Sequence, residues 1–140
     1  PSVKKVEPES KTIRTSNLDK PLILVVEDNP DNLLTIRALL QDSCTLLEAT
    51  DGQAGIENAR EHGPDLILMD LALPVMDGYE ALLAIREDDK LRQIPVVAVT
   101  ASAMKGSREK ILAYGFDGYI SKPIDEELLR KIIQELLYGR

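Results

Sequence analysis

Five short strand-like segments recur along this chain, three of them apolar runs, and each is closed by a polar corner. They are Leu22-Ile23-Leu24-Val25-Val26, Thr45 to Ala49, Leu66-Ile67-Leu68-Met69, Pro95-Val96-Val97-Ala98-Val99 and Gly118 to Ser121. All are too short for helices, and Leu22–Val26 and Leu66–Met69 show no alternation, as strands buried on both faces do. Between them apolar residues return at helical spacing. Leu33, Ile36, Leu39 and Leu40 mark a first helix behind the capping candidates Asn29 and Asp31. Asp51-Gly52 turns into a second over about 53–62, with Ile56 and Ala59 inward, which Gly63-Pro64 ends. Leu82, Leu83 and Ile85 mark a third over about 78–87, and a weaker fourth covers about 105–114. The last, about 125–137, is expected to bury Leu128, Leu129, Ile132, Ile133 and Leu136. Strands alternating with helices call for a parallel sheet covered on both faces, with right-handed crossovers.

Composition adds bounds. The 140 residues suffice for one core, so residues 21–140 are expected to form a single domain. Residues 1–20 are polar, lack apolar periodicity and read as a flexible linker or tail. Because the first residue is Pro1, the chain is expected to be processed or cut from something longer. No apolar run approaches membrane-spanning length and no signal-peptide pattern opens the chain, so the expected location is cytoplasmic. One cysteine, Cys44, excludes an internal disulfide and reads as a small core residue; with one histidine, His62, it leaves too little for a zinc site. The net charge of −7 divides into +2 over residues 1–20 (five Lys/Arg, three Asp/Glu) and −9 over 21–140 (twelve, twenty-one). An acidic domain repels phosphates, which argues against direct nucleic-acid binding.

The chemistry lies at the strand ends. The first strand runs out at Glu27 and Asp28, the third at Asp70, the fourth at Thr100 and the fifth at Lys122. In an open parallel sheet the carboxyl ends of the strands are where ligands bind. A single such residue would be turn chemistry, but four strands delivering mutually useful groups to one edge point to a site. Three converging carboxylates need a cation, and an all-oxygen set favours Mg²⁺. Lys122 can neutralise a carboxylate or an incoming phosphoryl oxygen, and Thr100 offers a hydroxyl donor. An ionised Asp70 in such company can attack phosphorus and form an aspartyl phosphate.

On these residues the chain resembles the receiver domain of two-component response regulators, over about residues 21–138. The resemblance implies a flavodoxin-like (βα)5 doubly wound sheet of strand order 2-1-3-4-5. It implies that Asp70 accepts a phosphoryl group from phosphohistidine. Glu27 and Asp28 become the acidic pair, with Asp28 preferred as direct Mg²⁺ ligand beside Asp70 and the Ala72 carbonyl. Thr100 becomes the switch hydroxyl, Tyr119 the switch aromatic and Lys122 the phosphate-binding lysine, with a cis peptide bond to Pro123. The switching surface would be that of the fourth helix, fifth strand and fifth helix. Ala72 and Ser102 occupy the positions where the family tunes autodephosphorylation. The implied partners are a histidine kinase or histidine phosphotransfer domain, and a phosphorylation-dependent dimer. Leu33 and Asn29 are the expected docking residues, near the start of the first helix. Glu27-Asp28-Asn29-Pro30-Asp31-Asn32 and Gly118-Tyr119-Ile120-Ser121-Lys122-Pro123 resemble hybrid histidine kinase receivers, so that parent is preferred over a stand-alone regulator.

Two other classes compete. A phosphatase of the haloacid dehalogenase type would put its nucleophile after the first strand with a second Asp two residues on, whereas Asp70 follows the third strand and Ala72 stands there. A degenerate receiver serving as a binding module would have lost part of the acidic set. Plainer roles fit the remaining residues: His62 as a helix-end residue, Asp51 and Asp77 at helix starts, and Met69 and Met76 as core or gap fillers.

Overall fold

The structure, a computed structural model, describes residues 20–101 and 105–139. The expectation for residues 1–19 and the tuning position Ser102 lie outside the described residues. Strands β1 (Leu22–Val26), β2 (Thr45–Ala49), β3 (Leu66–Asp70), β4 (Val96–Thr100) and β5 (Gly118–Ser121) alternate with helices α1 (Pro30–Leu40), α2 (Gly52–His62), α3 (Gly78–Glu87), α4 (Lys105–Tyr114) and α5 (Glu126–Tyr138). All neighbouring strands pair parallel in the order 2-1-3-4-5, as the resemblance implies.

The helices begin where side chains satisfy their first N–H groups. Asn29 accepts from Asp31 N and Asn32 N, Asp51 from Ala54 N, and Asp125 from Leu128 N. Asp77 and Glu80 form a reciprocal capping box at α3. Asp51 and Asp77 are therefore caps, as expected. α2 stops at Gly63 in the left-handed conformation, with exposed His62 as its last residue.

Alternation along the strands divides the core. Ile23, Val25, Leu66, Leu68, Val97, Val99 and Ile120 pack with α1 and α5. Leu24, Val26, Ile67, Met69, Val96 and Ala98 pack with α2, α3 and Ile111 of α4. Each is essentially dry, and Leu68→Ala would cost about 2–5 kcal/mol. Cys44 lies in the first of these layers, as expected of a core cysteine.

Two expectations about helix faces, in α5 and α1, need correction, and α3 shows the same geometry. In α3, Ala81, Leu82 and Ile85 turn inward while Leu83 is 48% exposed. In α5, Leu129 and Ile133 form the buried ridge, one turn apart, and Leu128 is exposed. In α1, Leu33 is buried against the sheet and cannot be a docking contact; its neighbour Leu34 is 58% exposed. Successive helical residues differ by about 100° in direction, so one of two adjacent leucines can face the core while the other turns to solvent.

Candidate functional site

Strand parity explains the site. Glu27, Asp70 and Lys122 continue the rows that hold Val25, Leu68 and Ile120, so all three lean to the α1/α5 side of the carboxyl edge. Thr100 continues the row of Val96 and Ala98, on the α3/α4 side, and Tyr119 pairs with Ala98 there. Two rows thus meet at one edge: charges on one side, the hydroxyl and the aromatic on the other.

Lys122 Nζ lies 3.3 Å from Asp70 Oδ2, to which it donates, and 3.2 Å from Glu27 Oε1. Glu27 is only 1% exposed and Asp70 4%. Glu27 Oε2 accepts from Asn29 N at 3.1 Å and from Asn32 Nδ2 at 3.3 Å. Its Oε1 is buried and, despite the nearby ammonium, takes no hydrogen bond of acceptable geometry. Asp70 Oδ1 accepts from Ala72 N at 3.1 Å. Asp28 is exposed, and Glu27, Asp28 and Asp70 bring carboxylate oxygens within 4.8 Å of one another.

The electrostatics follow from this crowding. Burial pushes the Asp70 carboxyl up to about 6; Glu27 adds to the rise, while the Ala72 N–H and Lys122 oppose it. Burial works against the Lys122 ammonium, but Glu27 and Asp70 outweigh it and hold its pKa above the ordinary value. One lysine thus pairs with two of three clustered acids, and a buried Glu27 oxygen takes no hydrogen bond. A hard divalent cation would fit that oxygen set.

Every described residue singled out at the strand ends stands at this edge. Thr100 closes β4, and its carbonyl accepts from Lys122 N at 2.8 Å. The Lys122–Pro123 peptide bond is cis. Tyr119 is half-buried, so the plain surface-aromatic reading falls away, and its hydroxyl accepts from Arg108 at 3.1 Å. Sequence reasoning missed the parts played by Asn32 and Arg108. Asn32 had a signal, since it sits one helical turn after the Asn29 cap and faces back toward Glu27. Arg108 had none.

The response regulator receiver domain family matches residues 23–134. The histidine-protein kinase BarA of Shigella flexneri is 45% identical over 112 residues, which are 79% of this chain and 12% of that protein. The chain therefore spans about an eighth of that relative. The polar-differentiation response regulator DivK of Brucella anthropi is 47% identical over 73% of this chain and 84% of its own. Among solved structures, the receiver domain of sensor histidine kinase PA1611 from Pseudomonas aeruginosa, with magnesium coordinated in its active-site cleft, superposes with a TM-score of 0.79. It is 38% identical, over 85% of this chain and 98% of that one. The receiver of Ssk1, crystallised with the Saccharomyces cerevisiae phosphotransfer protein Ypd1, gives 0.78 at 32% identity, over 86% and 90%. A family match across most of the chain, with its acidic edge intact, makes this protein a member of the response regulator receiver domain family.

Proposed function

We propose that this domain takes a phosphoryl group from a phosphohistidine onto Asp70 and passes the event to the surface of α4, β5 and α5. The observation that carries this is the meeting of Asp70 with Lys122 at 3.3 Å inside a three-carboxylate cluster. Asp28, Asp70 and the Ala72 carbonyl would hold Mg²⁺, with Glu27 completing the acidic pair; the PA1611 receiver carries magnesium in its cleft. Bound there, the cation would neutralise charge on the transferring phosphoryl oxygens.

An Asp70 carboxylate oxygen attacks phosphorus as the P–N bond to the donor imidazole breaks. The imidazole carries a proton on its other ring nitrogen, so it takes the bonding pair and leaves as neutral imidazole. Lys122 and the Thr100 hydroxyl stabilise the phosphoryl oxygens. No general base is required, since the nucleophile reacts ionised. The same oxygens then draw Thr100 toward the phosphoryl group, and Tyr119, on the same face of the sheet, follows into the vacated space.

The donor is a histidine phosphotransfer protein or kinase dimerisation domain, as the Ypd1 complex of the similar Ssk1 receiver suggests. The reaction is one self-directed phosphotransfer followed by hydrolysis, in the cytoplasm. Among the described residues no helix is long and apolar enough to cross a membrane. A hybrid-kinase parent accords with the likeness to BarA and PA1611. The phosphatase reading lacks a second acid at Ala72, and the binding-module reading lacks a missing acid.

A small-molecule phosphodonor with Mg²⁺ should give an acid-labile, hydroxylamine-sensitive label on wild type and none on Asp70→Asn. Label retained by Asp70→Asn would overturn the assignment.

A further inference from the structure

The loop between β3 and α3, residues 71–77, holds the one non-glycine residue with positive φ among the described residues: Val75, at 66°. For a β-branched side chain this region is a steric outlier. Met76 N donates to Pro74 O at 2.6 Å, closing a three-residue turn around Val75. With a positive central φ that turn is the rare, strained kind. Nothing local rewards it: Val75 is 84% exposed, and glycine would hold the same turn without the steric cost. Strain of this kind persists only where the surroundings over-determine it.

Two glycines supply those surroundings. Gly52, the first residue of α2, lies so close to the loop that a Cβ there would fall 2.3 Å from the Met76 carbonyl oxygen. Gly78, the first residue of α3, would bring a Cβ within 2.5 Å of the Asp70 carbonyl oxygen, and its N–H donates to Leu71 O at 3.2 Å. The loop is thus gripped at its far end by the β2–α2 corner and at its near end by the strand that carries Asp70. Between the grips lies Ala72, whose N–H donates to Asp70 Oδ1 at 3.1 Å.

We infer that Gly52 is a positioning residue for the Asp70 site: by admitting the Met76 carbonyl against the start of α2, it holds the strained turn at Val75 and so fixes the Ala72 peptide beside Asp70. This rests on the reading of Asp70 and the Ala72 carbonyl given above, and extends it to a corner of the fold that contributes no group to the site. A methyl group at Gly52 displaces Met76, the displacement runs back along a loop with no slack, and the Ala72 peptide turns away from Asp70. Glycine at Val75 gives the loop the slack to absorb it.

The test is a double-substitution cycle of Gly52→Ala and Val75→Gly, read by Mg²⁺ titration calorimetry and by the Ala72 amide resonance of the metal-free domain. Gly52→Ala is expected to weaken Mg²⁺ binding by about 10-fold, the low end of the scale on which supporting residues act, and to shift the Ala72 amide. In the Val75→Gly background the same substitution should cost less than about twofold. Gly63→Ala serves as control: its φ of 58° strains the other end of α2, with no atom near the added methyl. That variant should lose stability and keep its Mg²⁺ affinity. Should Gly52→Ala alone fail to fold, a folded double variant with Mg²⁺ affinity near that of Val75→Gly supports the coupling. Equal losses in both backgrounds, or an unmoved Ala72 amide in Gly52→Ala, overturn the inference. Wild type that takes neither Mg²⁺ nor a phosphoryl label would instead overturn the receiver reading.

Discussion

The Arg108 guanidinium, on α4, donates a 3.1 Å hydrogen bond to the hydroxyl of Tyr119, on β5, with its centre 5.9 Å from the ring centroid. Tyr119 is thereby held toward α4, on the same sheet face as Thr100. If Tyr119 moves on phosphorylation, this contact is what it must leave.

Substituting Arg108, which holds the Tyr119 ring, and Thr100, which shares its sheet face, should give opposite results. Arg108→Ala frees the ring and should raise the minor, active-like population of the unphosphorylated domain by roughly two- to fivefold, the scale of an exposed side-chain contact. Thr100→Ala should still accept phosphate, more slowly, while losing most of the change around Tyr119. NMR spectra with beryllofluoride, which stands in for the phosphoryl group, check both. The full wild-type shift pattern over residues 105–121 in Thr100→Ala would disprove the coupling.

The metal prediction concerns Asp28, the exposed member of the cluster. Asp28→Ala should weaken Mg²⁺ binding by at least about tenfold, since loss of a ligand's supporting partner alone costs that much. Phosphorylation by a small-molecule donor should slow with it, and calorimetry is the direct measurement. Unchanged affinity would remove Asp28 from the site.

The strands were legible because three of them are apolar runs and all have a Gly, Pro or Asx corner nearby, and the helix starts because Asn29, Asp51 and Asp77 cap them. The acidic edge was legible because strand ends in a parallel sheet share one side. The choice between adjacent leucines was not: Leu33 and Leu34, or Leu82 and Leu83, differ only by the rotation at which the helix docks, which the whole core decides. Contacts across the chain, Arg108 to Tyr119 or Gly52 to Met76, leave no local periodicity. Val75 runs against its own propensity, so local reasoning points away from the turn it occupies.

Docking on α1 should now be tested at Leu34, the exposed apolar residue, in place of buried Leu33. Leu34→Glu should slow transfer from a phosphohistidine protein about tenfold and leave a small-molecule donor unaffected. Arg130 is unsuitable as the distant control. It donates to Leu39 O at 2.7 Å and to Glu126 at 3.0 Å, tying α5 to the end of α1. Exposed Lys131 on the same helix serves better, and Lys131→Glu should leave both rates unchanged. Equal slowing with both donors in Leu34→Glu would mean damage to the site instead of lost docking.

The final prediction follows from the Asp70 carboxyl, which burial and then Glu27 lift to about 6 in the folded, metal-free domain, against about 3.9 in an unfolded chain. Between these values the folded state binds more protons than the unfolded one, so stability falls as pH rises through the window. About two pKa units correspond to roughly 3 kcal/mol at full ionisation, an upper bound because Lys122 and solvent respond. Asp70→Asn keeps the shape and lacks the titration. In a chelator, its stability advantage over wild type should therefore be small near pH 4 and grow toward 3 kcal/mol by pH 7. Mg²⁺ binds the ionised carboxylates, so adding it should shrink the advantage at pH 7 and leave pH 4 unchanged. Urea unfolding of both proteins at pH 4, 5, 6 and 7 measures the difference directly. A constant difference across that range would show that Asp70 ionises in the folded domain as freely as in the unfolded chain.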